Sequence, residues 1–356
     1  MKIFQCGHCH FPLYFENRTC ENCGHLTGYR DSDRMMLTFD PSGERLISDR
    51  EQIEYKYCKN KEYEVCNWVI ELNDPNEYCG ACQLNRTIPN LNNKTNFDKW
   101  RNLEIAKHRL IYQLQKIGLT LLSKNDLEEG FCFDFVARQD DEKLMTGHAD
   151  GVITILIREA DSAHREMTRM QLLEPYRTLI GHLRHEVGHY FWNRLIMNNQ
   201  QALIEFRSIF GNEEIDYSEA LQAYYKEGAP TDWQSQFISK YAASHAWEDW
   251  AETWAHYLHI MDMVETAYFF GLHVKPRDTD QDSADAAFDP YTIDDFDVII
   301  QTCVPLSFAV NSITRAMGVP DVYPFTIAPA VIDKMKFIHR LLLPKRRLNA
   351  QKSSLS

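Results

Sequence analysis

The spacing of apolar residues changes once along this chain of 356 residues. Up to about residue 95, short strand-like apolar runs alternate with turn residues and cysteines; from there to about 345 the spacing becomes helical. Asn90, Asn92, Asn93, Lys94, Thr95 and Asn96 form a polar joint between the two regimes, which predicts a linker. Beyond it, Trp100, Leu103, Leu110, Leu114 and Ile117 fall on one helical face. Phe131, Phe133 and Phe135 alternate with Cys132, Asp134 and Val136, a strand pattern, and after a polar turn at Asp140, Asp141 and Glu142 a second strand is expected through Val152, Ile153, Thr154, Ile155 and Leu156. A helix is expected from near Ala160, interrupted at Pro175, where a new helix starts and continues through Met197. The remainder reads as mostly helical, with Gly211, Pro230, Pro276, Pro290 and Pro305 as punctuation. Residues 346–356, ending AQKSSLS, read as a disordered tail. The pattern thus predicts an α+β chain: a cysteine-rich module over 1–95, then a mostly helical domain with a small strand region over 96–345.

Composition narrows the classes. With 44% hydrophobic and 25% charged residues the chain can bury a sizeable core. No stretch approaches eighteen uninterrupted apolar residues, so no membrane span is expected, and the N-terminal MKIFQCGHCHF lacks the apolar core of a signal peptide. A cytoplasmic location is the expectation. The net charge of -13 repels phosphate backbones and disfavours broad nucleic-acid binding. The basic C-terminal cluster of Lys334, Lys336, Arg340, Lys345, Arg346, Arg347 and Lys352 reads as solvation.

Residues 185–189 read His-Glu-Val-Gly-His. Positions four apart share a helix face, so His185 and His189 can present two imidazoles to one ion. Glu186, offset by about 100°, can reach a water on that ion without ligating it. Zinc lowers the pKa of such a water and polarises a carbonyl, while the glutamate takes the proton. A third protein ligand is required, because catalytic zinc takes three and leaves one position open. The stretch HAWEDWAETWAHYLH (245–259) supplies the candidates: Glu248, Glu252 and His256 line one helical stripe among the packing residues Trp247, Trp250, Ala251 and Trp254. Around the site, His148 and Asp150 read mainly as turn residues, His182 as a helix-surface or supporting histidine, and His245 as either a site contact or a helix cap.

Eight of the ten cysteines lie in the first quarter. In a reducing compartment, paired CxxC knuckles are metal ligands before they are disulfides. Cys6, Cys9, Cys20 and Cys23 form two such knuckles and predict a four-thiolate structural zinc site. Cys58, Cys66, Cys79 and Cys82 are more loosely spaced and predict a second all-cysteine site, for zinc or, as an alternative, iron–sulfur. The module is slightly acidic, which suits docking of a protein substrate or partner better than DNA reading. Cys132 and Cys303 read as buried small hydrophobes.

These motifs carry a resemblance. HEVGH followed at a distance by EDWAE is similar to the gluzincin metallopeptidases. The resemblance implies a zincin-like domain in which Glu248 is the third zinc ligand and Glu252 orients a ligand histidine, and a tyrosine seven residues before the ligand glutamate, here Tyr241, supports the oxyanion. TGHADGVIT, EADSAHRE, EPYRTLIGHLRHEVGHY, FRSIFGNE and HAWEDWAETWAHYLH further resemble a bacterial family of zinc-binding metallopeptidases with an N-terminal zinc ribbon, over residues 1 to about 275. The expectation is a zinc metallopeptidase that cleaves a protein or peptide substrate, with one catalytic Zn2+ and one or two structural ones. Two rivals stand beside it: a zinc-ribbon adaptor with an inactive HExxH domain, and a DNA-associated protease resembling the SprT-like group, in which His256 would replace Glu248 as ligand.

Overall fold

In a computed structural model, residues 1–48, 51–137, 146–171, 174, 176–277 and 283–354 are described. The predicted turn at Asp140, Asp141 and Glu142 and the predicted break at Pro175 lie outside them. Helix and sheet are mixed, and the chain forms two compact units: Met1–His164 with Asn349–Ser356, and Arg165–Leu348.

The first unit opens with three small antiparallel sheets: β1 (Phe4–Gln5) with β2 (Pro12–Leu13), β3 (Leu26–Arg30) with β4 (Met35–Phe39), and β5 (Leu46–Ile47), β6 (Glu54–Tyr57) and β7 (Val69–Glu71) in that order. None is large enough to stand alone. An aromatic cluster of Phe15, Tyr29 and Trp68 joins them, and Leu37, Phe39, Tyr55 and Val69 form a small core. A four-stranded sheet follows in the order β10 (Gly147–Ala149), β11 (Val152–Leu156), β9 (Cys132–Val136), β8 (Asn85–Thr87). β9 runs parallel to both neighbours. The alternation expected along β9 is therefore lost to burial: Phe131 to Phe135 are all buried, with Asp134 paired to Arg86.

Helix α1 (Lys94–Ile117) is capped by Asn93, whose side chain accepts from the Thr95 and Asn96 N–H groups, and ends at Gly118 with φ 87°. The polar joint predicted before residue 96 thus contains the cap and first turn of α1. Its predicted apolar face is buried.

The second unit is helical: α2 (Ser162–Gln171, which starts in the first unit), α3 (Leu179–Trp192), α4 (Gln200–Phe210), α5 (Tyr217–Glu227) and α6 (Ala246–Phe270), the short pair β12 (His273–Val274) and β13 (Ala284–Asp285), α7 (Phe296–Ala316) and α8 (Pro329–Ser354). α3 starts at Leu179 rather than Pro175, because Thr178 Oγ1 takes the Gly181 N–H at 3.1 Å and caps it there. It passes through a π-helical turn at Asn193–Met197.

Pro305 does not punctuate. It sits inside α7, where burial of Phe296, Ile299, Ile300, Cys303 and Leu306 outweighs the ~3 kcal/mol an interior proline costs. Among the described residues, α7 is the one helix long and apolar enough to cross a membrane; 44% of its apolar window is buried, and it packs on α6. The stretch read as a disordered tail continues α8 as far as Ser354, a run of helix formers anchored where Asn349 Nδ2 donates to Lys116 O at 2.9 Å.

Candidate metal centre

The second unit is organised by α3 lying against α6. Gly188 favours this: a Cβ there would sit 3.0 Å from Trp254 and 3.3 Å from the Ala251 Cα, so a larger residue would crowd the seam between the helices. Trp250 Nε1 donates to Gly188 O at 2.9 Å across the seam. At that separation the polar faces of the two helices meet.

His185, His189 and Glu248 converge there, all buried or nearly so. His185 Nε2 is 3.2 Å from His189 Nε2 and 3.0 Å from Glu248 Oε2, and His189 Nε2 is 3.6 Å from the same oxygen. Bonds of about 2.0–2.1 Å in a tetrahedral zinc site put ligand atoms about 3.3 Å apart, so this triangle has the dimensions of three zinc ligands. Holding two imidazoles and a carboxylate oxygen this close with no hydrocarbon between them also suits a cation better than it suits the bare groups. Burial alone would raise the Glu248 pKa, but the two imidazoles outweigh it and hold it well below the usual carboxylate range.

The surrounding residues fall into definite places. Glu252 Oε1 accepts the His185 Nδ1–H at 2.7 Å, and its other oxygen takes the Ser239 hydroxyl at 2.6 Å. These partners overcome burial and lower the Glu252 pKa to about 2. Pinning Nδ1 leaves the His185 Nε2 lone pair facing the other ligands. Glu186, next to His185 on α3, lies 3.1 Å from His182 Nε2, one turn earlier, so His182 supports it; burial raises the Glu186 pKa, and His182, His185 and His189 more than reverse that.

His256 is not among the converging groups: its Nδ1 faces the Tyr323 hydroxyl at 3.0 Å, its ring lies 4.2 Å from that of Phe325, and burial lowers its pKa to about 4. Tyr241 lies beside the site with its ring 6.1 Å from that of His185, and burial raises its hydroxyl pKa. His245 is the N-cap of α6, accepting the Trp247 N–H at 3.1 Å. His148 and Asp150 shape a turn in the first unit: His148 Nε2 takes the Gly151 N–H at 3.1 Å, and Asp150 adopts φ 47°. Cys132 and Cys303 are both fully buried, and burial pushes the Cys303 thiol up to about 12.

Reading the sequence missed one contact at the triangle. Tyr217, the first residue of α5, donates its hydroxyl to Glu248 Oε1 at 2.6 Å. No spacing rule links it to the motif, since it arrives from another helix.

In the first unit, both cysteine quartets close. Cys6, Cys9, Cys20 and Cys23 form one cluster and Cys58, Cys66, Cys79 and Cys82 another. Cys6 and Cys23 sulfurs are 3.7 Å apart, Cys9 and Cys20 3.6 Å, and Cys66 and Cys79 3.7 Å. Tetrahedral Zn–S bonds of about 2.3 Å place sulfurs roughly 3.8 Å apart. Backbone and side-chain donors reach the sulfurs as zinc knuckles require: Trp68 N–H to Cys66 at 3.4 Å, Cys79 N–H to Cys58 at 3.3 Å, and Asn22 Nδ2 to Cys9 at 3.4 Å. A histidine outside the cysteine-rich stretch joins the second cluster, with His108 Nε2 on α1 lying 3.6 Å from Cys82 Sγ.

Two cysteine quartets and one His2Glu triangle define a zinc-binding protein with the ligand set of a metallopeptidase. Comparison with known families agrees. The chain belongs to the family described as "Putative zinc-binding metallo-peptidase", whose model matches residues 96–341, and a zinc-ribbon domain model matches residues 3–93. Among its relatives are the uncharacterized proteins Rv2568c and MT2644 of Mycobacterium tuberculosis and Mb2598c of Mycobacterium bovis, each 38% identical over 345 residues, which is 96% of this chain and 95% of theirs. No solved structure matches the chain.

Proposed function

We propose that the protein is a zinc-dependent peptidase of the gluzincin type, with a zincin-like catalytic domain, hydrolysing peptide bonds of a protein or peptide substrate in the cytoplasm. The observation that carries this reading is the convergence of His185, His189 and Glu248 from two helices at the separations of zinc ligands, with Glu186 close by but outside the triangle. Bound there, zinc would polarise the scissile carbonyl and acidify a water. Glu186 would act as the base that takes a proton from the attacking water and the acid that returns it to the leaving amine, with His182 steadying its carboxylate. Glu252 keeps His185 in the tautomer whose Nε2 is free to ligate. Tyr241, whose ring lies 6.1 Å from that of His185, would steady the oxyanion. The two cysteine clusters hold structural zinc, and the ribbons recruit the substrate.

Elemental analysis of the purified chain is expected to give about three zinc per molecule, one for each cluster, falling by one in His185→Ala. Glu186→Gln is expected to keep all three and lose about 10²–10⁴-fold in peptide hydrolysis. Turnover by Glu186→Gln at the wild-type rate would overturn the mechanism, and a chain with metal only in its cysteine clusters would overturn the assignment of the site.

A further inference from the structure

α5 gives the site one side chain, from its first residue. Asp216 caps the helix by accepting the Glu219 N–H at 2.8 Å, which fixes where Tyr217 leaves the backbone. The Tyr217 ring stands edge-on to His245 at 5.3 Å and to Trp247 at 5.9 Å, and Trp247 in turn lies 3.9 Å from the His189 ring. Its hydroxyl donates to Glu248 Oε1 at 2.6 Å, while Oε2 of the same carboxylate is the oxygen that faces both imidazoles.

A buried tyrosine usually finds a partner for its hydroxyl, and packing would account for the ring alone. Packing does not account for the division of labour on Glu248. A carboxylate has two oxygens and can chelate one ion with both; occupying Oε1 with a hydroxyl donor leaves Oε2 as the single ligand atom and keeps one coordination position open for water.

We propose that Tyr217 is a positioning residue of the metal centre: it holds Glu248 in a one-oxygen presentation. This rests on the assignment of His185, His189 and Glu248 as metal ligands made above.

The test is competition for zinc between the full-length protein and a chelator, with Co(II) substitution as the spectroscopic readout. Tyr217→Phe is expected to weaken the His2Glu zinc about 10–100-fold while the two cysteine-cluster zincs, an internal measure of folding, are retained. Its Co(II) visible bands are expected to lose intensity as Glu248 turns bidentate and coordination number rises. In a Glu248→Ala background the same change is expected to add nothing, because its effect passes through that carboxylate. Tyr217→His, which returns an N–H donor to the position, should recover part of the affinity. Wild-type zinc affinity and an unchanged Co(II) spectrum in Tyr217→Phe overturn the proposal, as does an equal loss with and without Glu248. A wild-type chain that takes up no metal at His185 sinks the ligand assignment itself, a separate result.

Discussion

At the scale of single residues, the site depends on which nitrogen of His185 carries the proton. Glu252 takes Nδ1–H at 2.7 Å and is itself held by Ser239 at 2.6 Å, so the ring is fixed in both tautomer and orientation. Glu252→Ala removes that anchor without touching a ligand. Its expected effect is a loss of about 10–100-fold in affinity for the His2Glu zinc, measured by chelator competition, with both cysteine clusters still loaded; unchanged affinity would mean that Glu252 only packs. The shared faces were legible in the sequence, because helix geometry turns a spacing of four into one face: His185 with His189, and Glu248 with Glu252; that Glu252 orients a histidine was implied only by the resemblance to the gluzincins. The choice of Glu248 over His256 was not settled by spacing alone. It needed the approach of α3 to α6, which sets which end of the stripe meets the imidazoles. Tyr217 was illegible, since contacts between separate helices leave no local trace.

Helix α6 carries half the site and is fixed at element scale by α8. Lys334 Nζ reaches Asp249, the neighbour of Glu248, at 2.6 Å and Gln236 O at 2.6 Å, so one buried cation ties α8 to α6 and to the loop that leads to Tyr241. Five residues further along α8, buried His339 stands with Nδ1 3.1 Å from the Tyr257 hydroxyl of α6 and Nε2 3.0 Å from Ile293 O and 2.9 Å from Arg346 Nη2. Burial, helped by the Arg346 charge, lowers the His339 pKa from 6.5 to about 4. The unfolded chain therefore binds a proton between those two values that the folded chain refuses. Stability from this group is full above pH 6.5 and drains as the pH falls towards 4. Between pH 7 and pH 5 the wild type is expected to lose on the order of 2 kcal/mol more than His339→Gln in denaturant unfolding. Parallel loss in both proteins would show that His339 is protonated in the fold. None of these links was readable from periodicity, and tertiary burial also overrode the local signals: α3 starts at its threonine cap, and α7 runs through Pro305.

Across the whole molecule, the zinc-ribbon part and the strand region share one compact unit, although the change in apolar spacing near residue 95 marks where the cysteine-rich stretch ends. The reason lies in how the second cysteine cluster is connected. Its last ligand, Cys82, begins a single 3-10 turn through Leu84, and the chain passes directly into β8, the edge strand that pairs in parallel with β9. From the other side α1 brings His108 to 3.6 Å from Cys82, and beneath it a fully buried Lys107 lies 2.9 Å from a fully buried Glu104, whose carboxylate also accepts from Asn85 of β8 at 2.8 Å. A buried ion pair of this kind is stabilising only while its geometry is held, because a charge left without its partner in the interior is costly. The metal at the second cluster is thus placed to hold not only the ribbon but the register of β8 and the packing of α1. Hydrogen exchange read by mass spectrometry tests this in Cys79→Ala, a variant that removes one buried ligand and does not touch β8, α1 or the His2Glu triangle. Exchange is expected to rise in residues 85–87, in 132–136 and along α1, and to stay at the wild-type level in α3 and α6, which carry the separate His2Glu group. A rise confined to residues 58–82 would show that the cluster stabilises the ribbon alone, and that the sheet keeps its register by its own packing.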